Sequence, residues 1–154
     1  MRNTIIILII SLLAVSCGKD KFTSAPQIKF KSIKPDRVPS NILINSPDLP
    51  ILTIGVTDLE GDLGFKNGED TSFLYIRHIA LNRIDSFKLP DLQSVAGKNF
   101  ESDIIVNMFD VLRPDPRYTA HPRVDTLMYE LYVKDFAKNK SNVITAGPLY
   151  YEIQ

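Results

Sequence analysis

The chain has 154 residues, with 18 basic and 18 acidic side chains, so its formal net charge is zero. This length suits one domain, and the balanced charge excludes the basic field that attracts nucleic acid. Ten prolines, seven glycines and many Thr, Val, Ile and Tyr residues favour strands and turns over helices.

The first sixteen residues predict a secretory signal peptide. Arg2 gives a basic start, an apolar run follows from Ile5 to Ile10, and small residues precede Cys17. A basic start, a short apolar stretch and a small-residue cleavage site define such leaders. The apolar stretch is shorter than the roughly 20 residues that a membrane-spanning helix needs. We therefore expect cleavage before Cys17.

The segment Ala14-Val15-Ser16-Cys17-Gly18 resembles a lipobox, the site that lipoprotein signal peptidase cuts before a lipid-modified cysteine. The resemblance implies diacylglycerol on the Cys17 thiol, and Gly18 after it implies transport to the outer membrane. The alternative is an ordinary signal peptide that leaves a free thiol. Cys17 is the only cysteine, so no intrachain disulfide is expected even in an oxidising compartment.

The organisation predicted for the chain is residues 1–16 as signal peptide, 17–26 as lipidated tether and 27–154 as one domain. In that domain Gln27–Ile33 alternates apolar and polar residues and Ile51–Thr57 is rich in β-branched residues, so both are predicted strands. The proline-rich segment Lys34–Pro50 is predicted as loop, with Ile42–Ile44 as a short edge segment.

The second half of the chain continues the same pattern. Asp58–Asp70, Asn82–Asn99 and Arg113–Arg123 are polar, or rich in turn residues, and are predicted as connections. Further strands are predicted at Ser72–Leu81, Glu101–Phe109, Thr126–Asp135 and Asn142–Ile153. The last is interrupted by Gly147-Pro148, a pair that belongs at a sheet edge or a bulge. About seven short strands without an amphipathic helix predict an all-β, antiparallel immunoglobulin-like β-sandwich.

The densest group of acidic residues follows the Ile51–Thr57 strand. Alternate carboxylates at Asp58, Glu60 and Asp62 can converge when the chain turns, and Gly61 and Gly64 permit a sharp turn. Calcium takes six to eight oxygen ligands from carboxylates and carbonyls, so this loop is a candidate calcium site, to which Glu69 and Asp70 are further candidate ligands. The alternative is that Asp and Gly serve only the turn itself.

A second loop, Asp135–Asn142, resembles the closing hairpin of bacterial immunoglobulin-like domains. Lys138 stands where those domains usually have glycine, which predicts a left-handed conformation at Asn139 instead. In an immunoglobulin-like sandwich the loop after the second strand and the loop between the last two strands lie at one end. Asp135 is therefore expected near Asp58, Glu60 and Asp62, and the tether should enter the domain at the same end.

The arrangement as a whole also resembles a family of uncharacterised lipoproteins common in Bacteroidota. The shared motifs are the acylated cysteine, a Pro-x-Ile-x-Phe first strand, an Asp-x-x-Gly-Asp-x-Gly loop and the Asp-x-Ala-x-Asn-x-Ser-Asn hairpin, which begin here at Cys17, Pro26, Asp58 and Asp135. This resemblance implies the fold and the location but no activity.

Catalysis is not expected, because no nucleophile–base motif or phosphate loop is present. His78 is predicted to be structural and His121 exposed. The stretch Arg113–Tyr118 is either a recognition surface or a connection stiffened by prolines. The sequence therefore predicts a lipid-anchored, non-catalytic binding or accessory module of the outer membrane, with an envelope protein or glycan as partner. The alternative is a structural spacer subunit without a ligand.

Overall fold

The computed structural model describes residues 21–64, 71–90 and 97–154 and confirms the predicted all-β sandwich. The described residues form eight strands and one short 3₁₀-helix, Phe109–Val111. The strands are β1 Gln27–Lys34, β2 Arg37–Pro39, β3 Ile51–Asp58, β4 Phe73–His78, β5 Arg83–Lys88, β6 Phe100–Asn107, β7 Arg123–Lys134 and β8 Ile144–Ile153. No helix in these ranges is long and apolar enough to cross a membrane.

The strands form two sheets with the order expected of an immunoglobulin-like domain. One sheet has the order β1-β3-β6 and the other β2-β8-β7-β4-β5, so the chain crosses between sheets after β1, β2, β3, β5 and β6. All pairs are antiparallel except β2 with β8, which run parallel. The predicted antiparallel sandwich is thus confirmed, with one parallel pair at an edge of the larger sheet.

The core lies between the sheets and follows from strict alternation along the central strands. Leu52, Ile54 and Val56 of β3 are at most 1% exposed. Four inward residues of β7 are equally buried: Leu127, Tyr129, Leu131 and Val133. Because successive side chains of a strand point to opposite faces, the predicted apolar face of β7 is confirmed.

Strand β1 reaches the core through a bulge. Ile28 and Ile33 are both buried although five positions separate them, an odd spacing that would place them on opposite faces of a regular strand. The register of β1 on β3 shifts between Phe30 and Ser32, which restores Ile33 to the core face.

Two connections differ from prediction. Strand β5 lies inside Asn82–Asn99, which was predicted as a connection with turns. Strand β2 lies inside the predicted loop Lys34–Pro50, whereas the predicted edge segment Ile42–Ile44 forms no strand and exposes Leu43 and Ile44. Both new strands lie at the edges of the five-stranded sheet. Edge strands bury few side chains, so they show little apolar alternation in the sequence.

The pair Gly147-Pro148 lies at a bulge, as predicted. Leu127 pairs with Leu149 and Tyr129 with Ala146, so two residues of β8 face the single residue Met128. Gly147 has a φ of +123°, and a Cβ there would lie 2.9 Å from the carbonyl oxygen of Leu127. The bulge therefore requires glycine at this position.

Candidate cation site between two acidic loops

Asp58 organises the loop that follows β3. It is the last residue of the strand, and its Oδ2 accepts hydrogen bonds from the backbone N–H groups of Gly61 (2.6 Å) and Asp62 (3.1 Å). Gly61 has a φ of +69°, and a Cβ there would lie 2.4 Å from the Gly97 carbonyl oxygen. The turn thus closes only with glycine at position 61, in agreement with the predicted turn.

Asp135 organises the loop that follows β7 in the same way. Its Oδ1 accepts the backbone N–H of Asn139 at 2.7 Å, and its Oδ2 accepts the Asn139 side-chain amide at 2.8 Å. The left-handed residue is Lys138, with a φ of +68°. The prediction that Asn139 would adopt this conformation was wrong. Asn139 is the next residue, and its two hydrogen bonds to Asp135 hold it there.

The two loops meet at Asp62. Its carbonyl oxygen accepts the Phe136 N–H at 3.0 Å, and its Oδ2 accepts the Ala137 N–H at 3.4 Å. As a result Asp58, Asp62 and Asp135 each place one carboxylate oxygen within 4.8 Å of the others. The expected approach of Asp135 to Asp58 and Asp62 is confirmed.

These carboxylates are buried without a matching positive charge. Asp58 and Asp135 are fully buried and Asp62 is half-buried. Among the described residues, the ion pairs all involve other acidic side chains. The Oδ1 atoms of Asp58 and Asp62 are buried and accept no hydrogen bond, a costly state for a polar atom.

The pKa values respond to this arrangement. Burial, with a further contribution from the Asp62 charge, raises the pKa of Asp58 to about 6. Burial also raises the pKa of Asp135, and the charges of Asp62 and Glu60 add to this. Both carboxyl groups therefore hold a proton more readily than an exposed aspartate does.

The spacing of the oxygens suits a calcium ion. Calcium binds oxygen at about 2.3–2.6 Å, so ligands on opposite sides of the ion lie roughly 4.6–5.2 Å apart. Three oxygens within 4.8 Å of one another can lie in one coordination sphere. Asp58 and Asp62 supply two of them from the end of β3 and its following loop, and Asp135 supplies the third from the loop after β7. A cation here would connect the two loops.

Glu60, the fourth predicted ligand, lies outside this group of three. It is exposed, and its Oε1 accepts a hydrogen bond from the Ser24 hydroxyl at 2.9 Å. Glu69 and Asp70 lie outside the described residues. The predicted ligand set thus separates into three carboxylates that converge and one that contacts the incoming chain.

The segment before β1 packs against the same end of the domain. The Thr23 carbonyl oxygen accepts the Leu59 N–H at 3.1 Å, and the Ser24 carbonyl oxygen accepts the Asn139 amide at 3.3 Å. Residues 21–26, predicted as part of a flexible tether, therefore contact both acidic loops. The predicted signal peptide and Cys17 lie outside the described residues.

The opposite end of the sandwich holds its carboxylates in ion pairs. Arg123 binds Asp125, with Nε at 2.8 Å from Oδ1, and Arg117 binds Asp115. The hydrogen bonds from Arg117 lower the pKa of Asp115 to about 2. His78 is buried at this end, and its structural role stays a prediction. His121 is exposed, as predicted.

The sequence leaves the role of Arg113–Tyr118 open, and it does not predict the ion pairs of Asp115 and Asp125. Arg117 and Asp115 lie two residues apart, as do Arg123 and Asp125, so the spacing of opposite charges was the signal in the sequence that could have predicted these pairs.

Comparison with protein-family models, with curated proteins and with solved structures found no match to this chain.

Proposed function

We propose that this chain is a lipid-anchored, non-catalytic binding module of the bacterial outer membrane, with a calcium ion joining the two loops at its anchored end. The observation that carries the calcium assignment is the unpaired, buried Oδ1 of Asp58 beside the carboxylates of Asp62 and Asp135. A buried carboxylate group needs a cation or a proton to offset its desolvation.

The position of the incoming chain supports the anchored orientation. Lys21 is four residues from Cys17, a reach of roughly 14 Å at most, and its carbonyl oxygen accepts the Thr57 hydroxyl at 3.0 Å. Lipid on Cys17 would therefore hold the acidic end beside the membrane surface. The opposite end, with the Arg113–Arg123 segment, would face away from it.

The anchor is tested by mass spectrometry of the membrane fraction. The mature chain should begin at Cys17 and carry acyl chains, and Cys17→Ser should release the protein from the membrane. An unmodified Cys17, or a chain that keeps residues 1–16, would contradict the anchor.

The cation is tested by melting the full mature chain in chelator and in calcium, with magnesium as a comparison. Calcium at about 100 times its dissociation constant should add about 2.7 kcal/mol to the free energy of unfolding. Asp58→Asn should abolish this gain. The matched control is Asp48→Asn, because Asp48 is an exposed aspartate of another loop. An equal melting temperature with and without calcium would contradict the proposal.

A further inference from the structure

The end of the sandwich opposite the acidic loops contains a cavity of about 490 Å³. This volume lies within the range of small-molecule sites, about 300–1,000 Å³. Asp125 lies near the start of β7 and Asp135 directly follows its end, ten residues further along and roughly 30 Å of extended chain away, so the cavity is remote from the acidic loops. The residues that line it and carry polar or aromatic groups are His78, Asp115, Arg117, Tyr118, Arg123 and Asp125.

The Arg123 side chain lines this cavity and is held in place by several hydrogen bonds. Its side chain is 14% exposed, and besides Asp125 it donates to the carbonyl oxygens of Asp115 (3.1 Å) and Ala120 (3.3 Å). The Asp115 N–H donates in turn to Asp125 Oδ2 at 2.8 Å. These bonds connect the loop before β7 to the first residues of that strand, which form one wall of the cavity.

Two groups in this cavity remain available to a ligand. Arg117 uses Nε and Nη2 on Asp115, while its Nη1 makes no hydrogen bond among the described residues and its side chain is 63% exposed. The Tyr118 ring is 60% exposed. His78 also lines the cavity, but it accepts the Leu81 N–H at Nδ1 and its Nε2 is buried, so it forms wall and offers no group to a ligand.

The chemistry of these groups selects a neutral, hydroxyl-rich ligand. Each arginine is already matched by an aspartate, so an anion gains little net attraction. The Arg117–Asp115 pair offers donors and acceptors side by side, which suits neighbouring hydroxyl groups that both donate and accept. The exposed Tyr118 ring offers an apolar face beside a polar edge.

We propose that this cavity binds a neutral saccharide of one or two pyranose rings, with Tyr118 against the ring face and Arg117 and Asp115 on its hydroxyl groups. The proposal rests on the binding role proposed above and names its ligand class. It does not rest on the calcium ion, which lies at the other end of the domain.

The test uses the full mature lipoprotein in a detergent without sugar groups, observed by saturation-transfer NMR. The probes are glucose, mannose, galactose, N-acetylglucosamine and their β-1,4-linked dimers, at up to about 10 mM, a level that detects weak ligands. Glucuronate and tetraglycine serve as the acidic and peptide comparisons. Calcium-dependent melting is measured on the same samples.

We expect at least one neutral saccharide to bind, Tyr118→Ala to weaken it about tenfold, and Ala120→Phe to block it by filling the cavity. Leu43→Ala is the matched control, since Leu43 is exposed outside this cavity, and should leave binding unchanged. Absence of binding by every neutral probe, binding that both cavity variants leave intact, or binding of glucuronate or tetraglycine alone would overturn the proposal. Such a result with a preserved calcium shift would leave the proposed cation intact.

Discussion

The two ends of this sandwich hold buried aspartates in opposite electrostatic settings. At one end Asp115 and Asp125 are paired with Arg117 and Arg123. At the other end Asp58, Asp62 and Asp135 converge without an ion-pair partner among the described residues. The pKa of Asp115 falls to about 2 while that of Asp58 rises to about 6. The same residue type thus marks a self-sufficient end and an end whose carboxylates have no counter-charge among the described residues.

The largest expected effect lies at the self-sufficient end. Arg123→Met should lower the free energy of unfolding by about 3 kcal/mol, because it leaves the buried Asp125 carboxylate unpaired. Urea unfolding in calcium measures this loss. The double variant with Asp125→Leu should recover much of it, and the calcium response should persist in both. A loss below about 0.5 kcal/mol, a value typical of exposed pairs, would contradict the account of this end.

The pH dependence should separate the two ends. The pKa of Asp58 is about 6 in the folded protein and about 4 in the unfolded chain, so the folded protein binds the proton more tightly. In chelator the free energy of unfolding should therefore fall as the pH rises from about 4 to about 6. The depressed pKa of Asp115 acts in the opposite direction and only below about pH 4. Melting from pH 4 to pH 7 should show this fall in chelator and not in calcium. A flat profile in chelator would contradict the unpaired state of Asp58.

A neutral side chain at position 58 should stabilise the protein when calcium is absent. Asp58→Asn keeps an oxygen for the N–H groups of Gly61 and Asp62 and removes a buried charge, so we expect a gain of about 1 kcal/mol in chelator at pH 7. Urea unfolding measures it, with Asp48→Asn as control. A destabilised variant in chelator would show that the charge of Asp58 is compensated in some other way.

The smallest effect concerns the hairpin that carries Asp135. Lys138 has a φ of +68°, a conformation that costs a residue with a Cβ about 1 kcal/mol. Lys138→Gly should therefore raise the free energy of unfolding by about 0.5–1 kcal/mol without changing the calcium response. Lys140→Gly, in the same loop, is the control and should not stabilise.

Sequence patterns were sufficient where many buried residues repeat along a strand. The alternation of β3 and β7 predicted their core faces, and the immunoglobulin-like order then predicted that Asp135 meets Asp58 and Asp62. That second step worked because topology alone decides which loops share an end of a sandwich.

The sequence was less informative where one or two contacts decide the structure. The edge strands β2 and β5 bury few residues, so their pattern was weak. The left-handed Lys138 depends on the two bonds from Asn139 to Asp135. Glu60 satisfies the predicted spacing of ligands, but its side chain contacts Ser24 instead. The arginine–aspartate pairs of the opposite end depend on the conformation of the loop before β7.

Hydrogen–deuterium exchange of the mature chain, with and without calcium, tests the contrast between the two ends most directly. Calcium should slow exchange at the amides that the acidic loops hold, namely Gly61, Asp62, Phe136 and Asn139. The amides of Asp115 and Arg117 at the opposite end should exchange at the same rate in both conditions. Calcium that protects neither loop, or both ends equally, would contradict a cation site between the two acidic loops.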